Sequence, residues 1–150
     1  MMGVMSTQFK IQDIRLLNLH YSLSAGENSS LVEQTTEDAT PVPVELLCNS
    51  NYDEQKHLLR VRLSATIKGP NPVFHLNAEI GGIFQLDSDP DKETLDRLSN
   101  INCPAILYPY LREVISEITK RGGFDPVYLE PMNFSAMYRS SRSKQGKKAV

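Results

Sequence analysis

Between Leu59 and Ile67 apolar and polar residues alternate without a break. Leu59, Val61, Leu63, Ala65 and Ile67 fall on one side, Arg60, Arg62, Ser64 and Thr66 on the other. A period of two predicts a strand with one packed face and one wet face. The alternation returns after Lys68-Gly69-Pro70-Asn71-Pro72, with Phe74, Leu76, Ala78 and Ile80 set against His75, Asn77 and Glu79. Proline and glycine cannot continue a ladder, so the two runs are expected to form an antiparallel hairpin. Gly81-Gly82 is expected at the end of the return strand, where the backbone must bend or be closely approached.

Upstream, Phe9 to Leu23 is apolar enough for a long strand, but its phase slips. Phe9 and Ile11 share a phase with Leu17, Leu19, Tyr21 and Leu23, whereas Ile14 and Leu16 do not. Either a bulge lies near Asp13–Arg15 or part of the strand is buried on both faces. Residues 24–41 are rich in Ser, Asn, Thr, Glu and Gly and read as a loop, with Leu31-Val32 its only apolar pair. Val42, Val44 and Leu46 open a further strand after Pro41, and Pro43 places that strand at a sheet edge. Asn49-Ser50-Asn51-Tyr52-Asp53 is expected to turn it towards the next strand.

Beyond residue 86 the period changes. Asp89-Pro90-Asp91 marks a helix start, with Leu95 and Leu98 on one face of a short helix. Pro104 is expected to open the main helix, where a missing N–H costs nothing, and Pro109 is either tolerated early in it or kinks it. Leu107, Leu111, Val114, Ile115 and Ile118 follow helical spacing, Glu117 stands four residues before Arg121, and Gly122-Gly123 supplies the stop. A last helix starts near Asn133, with Phe134, Met137 and Tyr138 on one side. Strands followed by helices predict an α+β domain.

The length of 150 residues fits one domain with a real core. No apolar run approaches the ~20 residues that span a bilayer. The start, Met1-Met2-Gly3-Val4-Met5-Ser6, has neither the basic region nor the apolar stretch of a secretory signal. Two cysteines, Cys48 and Cys103, give no disulfide framework and fit a reduced, cytoplasmic setting. Net charge is −2; Arg139, Arg142, Lys144, Lys147 and Lys148 contribute five positive charges to the last twelve residues, so the rest carries −7. Residues 1–138 are therefore read as the domain and 139–150 as a basic, solvated and flexible tail. With no aromatic residue after Tyr138 to stack on bases, the tail is not read as a nucleic-acid site.

Catalytic and metal chemistry find no positive support. His20, His57 and His75 lack metal-ligand spacing, and neither cysteine has a CxxC partner or a histidine near it in sequence. Asp87-x-Asp89-x-Asp91 has the opening of a calcium loop. It fails where Lys92 replaces the turning glycine and Leu98 the closing acid. Arg121-Gly122-Gly123 follows a helix, not a strand, which excludes a phosphate-binding loop. Met132, Phe134, Met137 and Tyr138 are flexible or aromatic groups that suit adaptable contact, although core packing explains each of them singly.

Several spaced runs carry a resemblance to a known family. They are Phe9-Lys10-Ile11-Gln12-Asp13-Ile14, Gly81-Gly82-Ile83-Phe84-Gln85, Cys103-Pro104-Ala105-Ile106-Leu107-Tyr108-Pro109-Tyr110-Leu111-Arg112-Glu113, Arg121-Gly122-Gly123-Phe124 and Pro131-Met132-Asn133-Phe134-Ser135-Ala136-Met137-Tyr138. In this order they closely resemble the SecB family of export chaperones. The resemblance implies a four-stranded antiparallel sheet with two main helices on one side, assembling as a dimer of dimers. It implies no cofactor, no enzymatic activity and no insertion into membrane. The function it implies is ATP-independent binding of unfolded precursor proteins in apolar grooves, keeping them competent for Sec-dependent export. Those grooves would be formed by the sheet, the loop at 24–41 and the last helix.

By that resemblance the groove is expected at Leu31, Val32, Val42, Val44, Leu46, Ile83, Phe84, Met132 and Phe134, and tetramer contacts at Leu107, Leu111, Val114, Ile115 and Ile118 of the main helix, Pro104–Arg121. Family members dock on the export motor SecA through an acidic outer sheet face. The matching positions here are Asn18, Ser22, His75 and Asn77, none of them a carboxylate, and the family's acidic tail is replaced by a basic one. Complementarity to a basic docking segment is thereby lost. This opens an alternative, a SecB-like chaperone dedicated to the antitoxin of a toxin–antitoxin system. A second alternative is a non-chaperone α+β domain that binds or transforms a small ligand.

Overall fold

The structure, a computed structural model, describes residues 8–23, 44–68 and 74–148. Four antiparallel strands, β1 (Phe9–Leu23), β2 (Val44–Asp53), β3 (Leu58–Lys68) and β4 (Phe74–Leu86), form one sheet in the order β1-β4-β3-β2. The expected hairpin is the β3–β4 pair, with Leu63 opposite Ile80 and Ala65 opposite Ala78. Its turn, like Leu31, Val32, Val42 and the loop at 24–41, lies outside the described residues. β2 stands at an edge, as its proline-flanked start implies.

Two boundaries differ from the expectation, each for a physical reason. β4 does not end at Gly81-Gly82 but runs through them to Leu86, because Val61 and Arg62 of β3 keep the ladder paired across both glycines. β2 does not turn at Asn49–Asp53. Its polar residues occupy an edge strand, and the turn comes after it, where Asp53 Oδ1 accepts from the Gln55 and Lys56 amides at 3.0 and 3.2 Å. The phase slip in β1 is resolved by two irregularities, between Ile11 and Asp13 and between Leu16 and Asn18. Each admits one extra residue, so Phe9, Ile11, Ile14, Leu16, Leu19, Tyr21 and Leu23 all pair with β4 residues on the helix side, while Leu17 is left on the outer face.

The helical layer begins with α1 (Lys92–Arg97), capped by the Asp91 carboxylate, which accepts from the Thr94 amide at 2.7 Å. A π-helical turn, Leu98–Asn102, leads into α2 (Cys103–Arg121), with Pro104 in its first turn and Pro109 accommodated inside it. Leu107, Leu111, Ile115 and Thr119, spaced by four, are fully buried and lie over β3 and β4. Gly122 caps the helix and Gly123, at φ 90°, makes the left-handed exit that favours glycine.

An extended segment then runs back along α2, tied to it by side chains. Thr119 Oγ1 accepts from the Val127 amide at 2.9 Å, Arg112 Nε donates to the Leu129 carbonyl at 2.7 Å, and the Tyr108 hydroxyl donates to the Glu130 carbonyl. The segment delivers Phe134, in edge contact with Tyr108 at 5.6 Å, to the start of α3 (Phe134–Lys148). Asn133 Oδ1 caps α3 through the Ala136 amide at 2.9 Å. α3 continues through 139–148, the basic end of the chain.

The two glycines of β4 face opposite sides, and substitutions should separate them. A Cβ at Gly82 would lie 2.8 Å from Leu107 Cδ2 and 2.8 Å from Phe84 Cε2 inside the core. Gly82→Ala is expected to lower stability by ~1–3 kcal/mol in denaturant titration. Gly81→Ala meets only the movable end of exposed Leu17 and should cost less than ~1 kcal/mol. Equal losses would place Gly81 in the core as well.

Candidate functional site

The helix layer is narrower than the sheet. α2 packs on the central strands β3 and β4, and α3 leans on the π-helical turn, so the helix sides of both edge strands are left partly open. Two grooves result, the first of mixed lining and the second mainly apolar.

The first lies between β2 and α3, with a volume of about 400 Å³. Leu46, Cys48, Phe134, Met137 and Tyr138 are among its walls, with Asp96 and Asn100 beside them. Met137 is 43% exposed, a large value for an apolar side chain, while Leu47, opposite Ser64, points to the outer face. The Cys48 thiol donates to the Ser99 carbonyl at 3.7 Å across the base of the groove. Although one side of Cys48 is open to solvent, its apolar surroundings push the thiol up to about 11. Burial, reinforced by nearby Cys48, pushes Cys103 up to about 12.

The second groove, about 350 Å³, lies between β1 and α2. Ile14, Leu16 and Leu19 face Tyr110, Val114 and Ile118 across it, with Glu113 and Glu117 at the rim. Leu16 is 48% exposed and Tyr110 46%. Long apolar side chains on an uncovered edge strand are an energetic liability unless another chain covers them.

The residues expected from sequence divide sharply. Leu46 and Phe134 come together in the first groove; Val44 lies on the same side of β2, and Met132 is exposed just ahead of α3. Ile83 is on the opposite, outer face, opposite Asp13 of β1. Phe84 is a correction: it is fully buried, in edge contact with Phe9 at 5.7 Å, and presents nothing to a groove. Leu107, Leu111 and Ile115 are corrections too. The chain's own sheet covers them completely, so the accessible apolar side of α2 is that of Tyr110, Val114 and Ile118. Leu16 and Leu19 were legible only once the bulges of β1 were known.

Asn18, Ser22, His75 and Asn77 do gather on the outer face. Asn18 Nδ2 donates to Asn77 Oδ1 at 3.0 Å and Asn77 Nδ2 to Thr66 Oγ1 at 2.7 Å, a neutral row across three strands. Ser22 pairs with His75, whose ring meets His20 edge-on at 5.6 Å. The carboxylates of 87–91 serve separate local tasks. Asp87 accepts from the Gln8 amide, Asp89 accepts from the Tyr52 hydroxyl at 2.6 Å and lies 2.9 Å from His57 Nδ1, and Asp91 caps α1. Among the described residues no three His, Cys, Asp or Glu converge as a metal site, and no helix is long and apolar enough to cross a membrane.

A family model described as SecB, preprotein translocase subunit SecB, matches residues 5–145. The chain belongs to the SecB family. A protein-export protein SecB of Acidithiobacillus ferrooxidans is 36% identical over 91 residues, 59% of this chain and 60% of that relative, so the match spans less than two thirds of the relative's length. Another, from an Azoarcus species, is 36% identical over 113 residues, 73% of this chain and 74% of the relative. Among solved structures, the SecB-like chaperone of Mycobacterium tuberculosis in complex with a ChAD peptide from the HigA1 antitoxin superposes with a TM-score of 0.62. It is 23% identical and covers 83% of this chain and 90% of that one, a likeness of fold.

The thiol environments of this SecB chain have a measurable consequence. A pKa raised above the ordinary thiol value leaves Cys48 protonated and weakly nucleophilic at pH 7, and its reactivity grows as pH rises towards 11. Reaction with an aromatic disulfide reagent should be slow at pH 7 and accelerate by about tenfold per pH unit, with Cys103 silent until the protein unfolds. Rapid reaction of either thiol at pH 7 would contradict this assignment.

Proposed function

We propose that this SecB chain is an ATP-independent chaperone of the cytoplasm that takes up unfolded precursor polypeptides and keeps them competent for Sec-dependent export. The observation that carries the reading is the open groove between β2 and α3, with Leu46, Met137 and Phe134 on its walls and no covering element among the described residues. Apolar burial is worth ~25 cal/mol per Å², so a chain laid along such a surface gains affinity without specific polar contacts. Methionine and aromatic walls adapt to different client side chains. Nothing in this reading requires catalysis, a nucleotide or a metal. An open apolar groove also fits a peptide better than it fits the compact polar pocket of a small-ligand domain.

The β1 flank is assigned to assembly. A 15-residue edge strand carrying Leu16 and Leu19 beside Tyr110 and Val114 is a surface for a second copy, consistent with a homotetramer built as a dimer of dimers.

The two grooves are separable by mutation. Leu46→Asp or Met137→Asp should weaken binding of an unfolded client by about tenfold each, ~1.4 kcal/mol, with the mass by light scattering unchanged. Leu16→Asp combined with Val114→Asp should lower that mass. Client binding unaffected by both groove variants would remove the β2–α3 groove from the function, and a wild-type monomer that fails to suppress aggregation would overturn the chaperone reading.

A chaperone dedicated to an antitoxin is the second reading. It is favoured by the neutral row at Asn18, Ser22, His75 and Asn77, which offers no carboxylate to a basic motor segment, and by the antitoxin peptide bound to the mycobacterial structural neighbour. Binding of SecA by the client-loaded protein would support export; protection of clients with no binding of SecA would support the antitoxin role.

A further inference from the structure

The outer face of the sheet, opposite the helices, carries a hollow of about 400 Å³ over Gly81 and Gly82 that neither proposed role uses. Leu17, displaced to this face by the second irregularity of β1, lies over Gly81, where a side chain would collide with it, and forms the apolar wall with Ile83 beside it. Three guanidinium groups, those of Arg15, Arg60 and Arg62, rim the hollow. Asp13 pairs with Arg15, and Glu79 holds Arg62 at 2.7 Å, so both nearby carboxylates are engaged. Arg60 makes no ion pair with a described residue and is exposed. The hollow thus combines an apolar floor with a rim that is net positive.

We propose that this hollow is a docking site for an acidic polypeptide segment carrying an apolar anchor residue. Charge complementarity sets the sign of the partner: a carboxylate side chain can engage Arg60 directly, in the paired geometry that guanidinium groups favour. Leu17, seated on Gly81, and Ile83 accept an aliphatic side chain next to it. A nucleic acid fits less well. None of the lining residues is aromatic to stack a base, and Asp13 and Glu79 would face a continuous line of phosphates. The inference is independent of the groove between β2 and α3, which lies on the opposite side of the sheet.

Fluorescence anisotropy of two labelled peptides tests it on the full chain, one alternating glutamate with leucine and one alternating lysine with leucine. The acidic peptide should bind at least about tenfold more tightly than the basic one at low salt, and the difference should shrink as salt is raised. Arg60→Gln with Arg62→Gln should remove about tenfold of that affinity, and Arg60→Glu with Arg62→Glu should reverse the preference. Both variants should still suppress client aggregation, a readout that also reports that they are folded. Met137→Asp, which impairs the client groove, should leave the acidic peptide bound. Equal affinity for the two peptides overturns the proposal. So does acidic-peptide binding that survives the Arg60→Gln, Arg62→Gln change but is lost in Met137→Asp, because that pattern is capture by the client groove.

Discussion

One helix cannot cover four strands. The main helix α2 buries Leu107, Leu111, Ile115 and Thr119 on the two central strands, and this contact holds the sheet and the helices together. Helix axes pack about 8–10 Å from their neighbours, while four strands at roughly 4.8 Å spacing present a wider surface. The overhang on both flanks follows from that geometry. On the β2 side the overhang is bounded by α3 and becomes a groove with adaptable walls. On the β1 side it is bounded only by the flank of α2 itself. The same mismatch therefore produces both the surface we assign to unfolded chains and the surface we assign to a second copy.

The position of α3 depends on a different kind of contact. The return segment after Gly123 lies on α2 largely through hydrogen bonds from Thr119, Arg112 and Tyr108 to its backbone, with Leu129 as its buried anchor. Polar anchoring of this sort fixes a path more than it adds stability, since each bond contributes only about 0.5–1.5 kcal/mol net. Its effect is to deliver Phe134 to the end of the first groove in a fixed place. The outer face is polar for another reason. With no helix among the described residues to cover it, it can carry the Asn18–Asn77–Thr66 row and the Arg15, Arg60 and Arg62 rim at little desolvation cost.

Much of the architecture was legible in the chain because period-two and period-3.6 patterns report which side of an element is dry. Leu59–Ile67 and Phe74–Ile80 announced the central hairpin, and the spacing of Leu107, Leu111 and Ile115 announced the main helix. The same spacing could not say whether those leucines face the chain's own sheet or another subunit, and there the structure reverses the expectation. Phe84 was placed in the groove by the family resemblance; the strand continues past the two glycines and carries its ring into the core. The extent of α3 was hidden because a run of lysine, arginine and serine has no apolar stripe to mark it as helix. The β1 groove was hidden because its apolar residues fall in two phases, and only the pairing with β4 shows where the phase changes.

Those two phase changes in β1 give the strand an uneven tolerance to changes of length. A residue removed at Gln12 or at Leu17 would take out one irregularity, and the ladder on either side would keep its facing. A residue removed anywhere else in Phe9–Leu23 would turn everything between the deletion and the nearer strand end, or the nearer irregularity, inside out. Point substitutions on the outer face of this strand leave its facing intact, but insertions and deletions have only two addresses at which the inner surface of the subunit survives them.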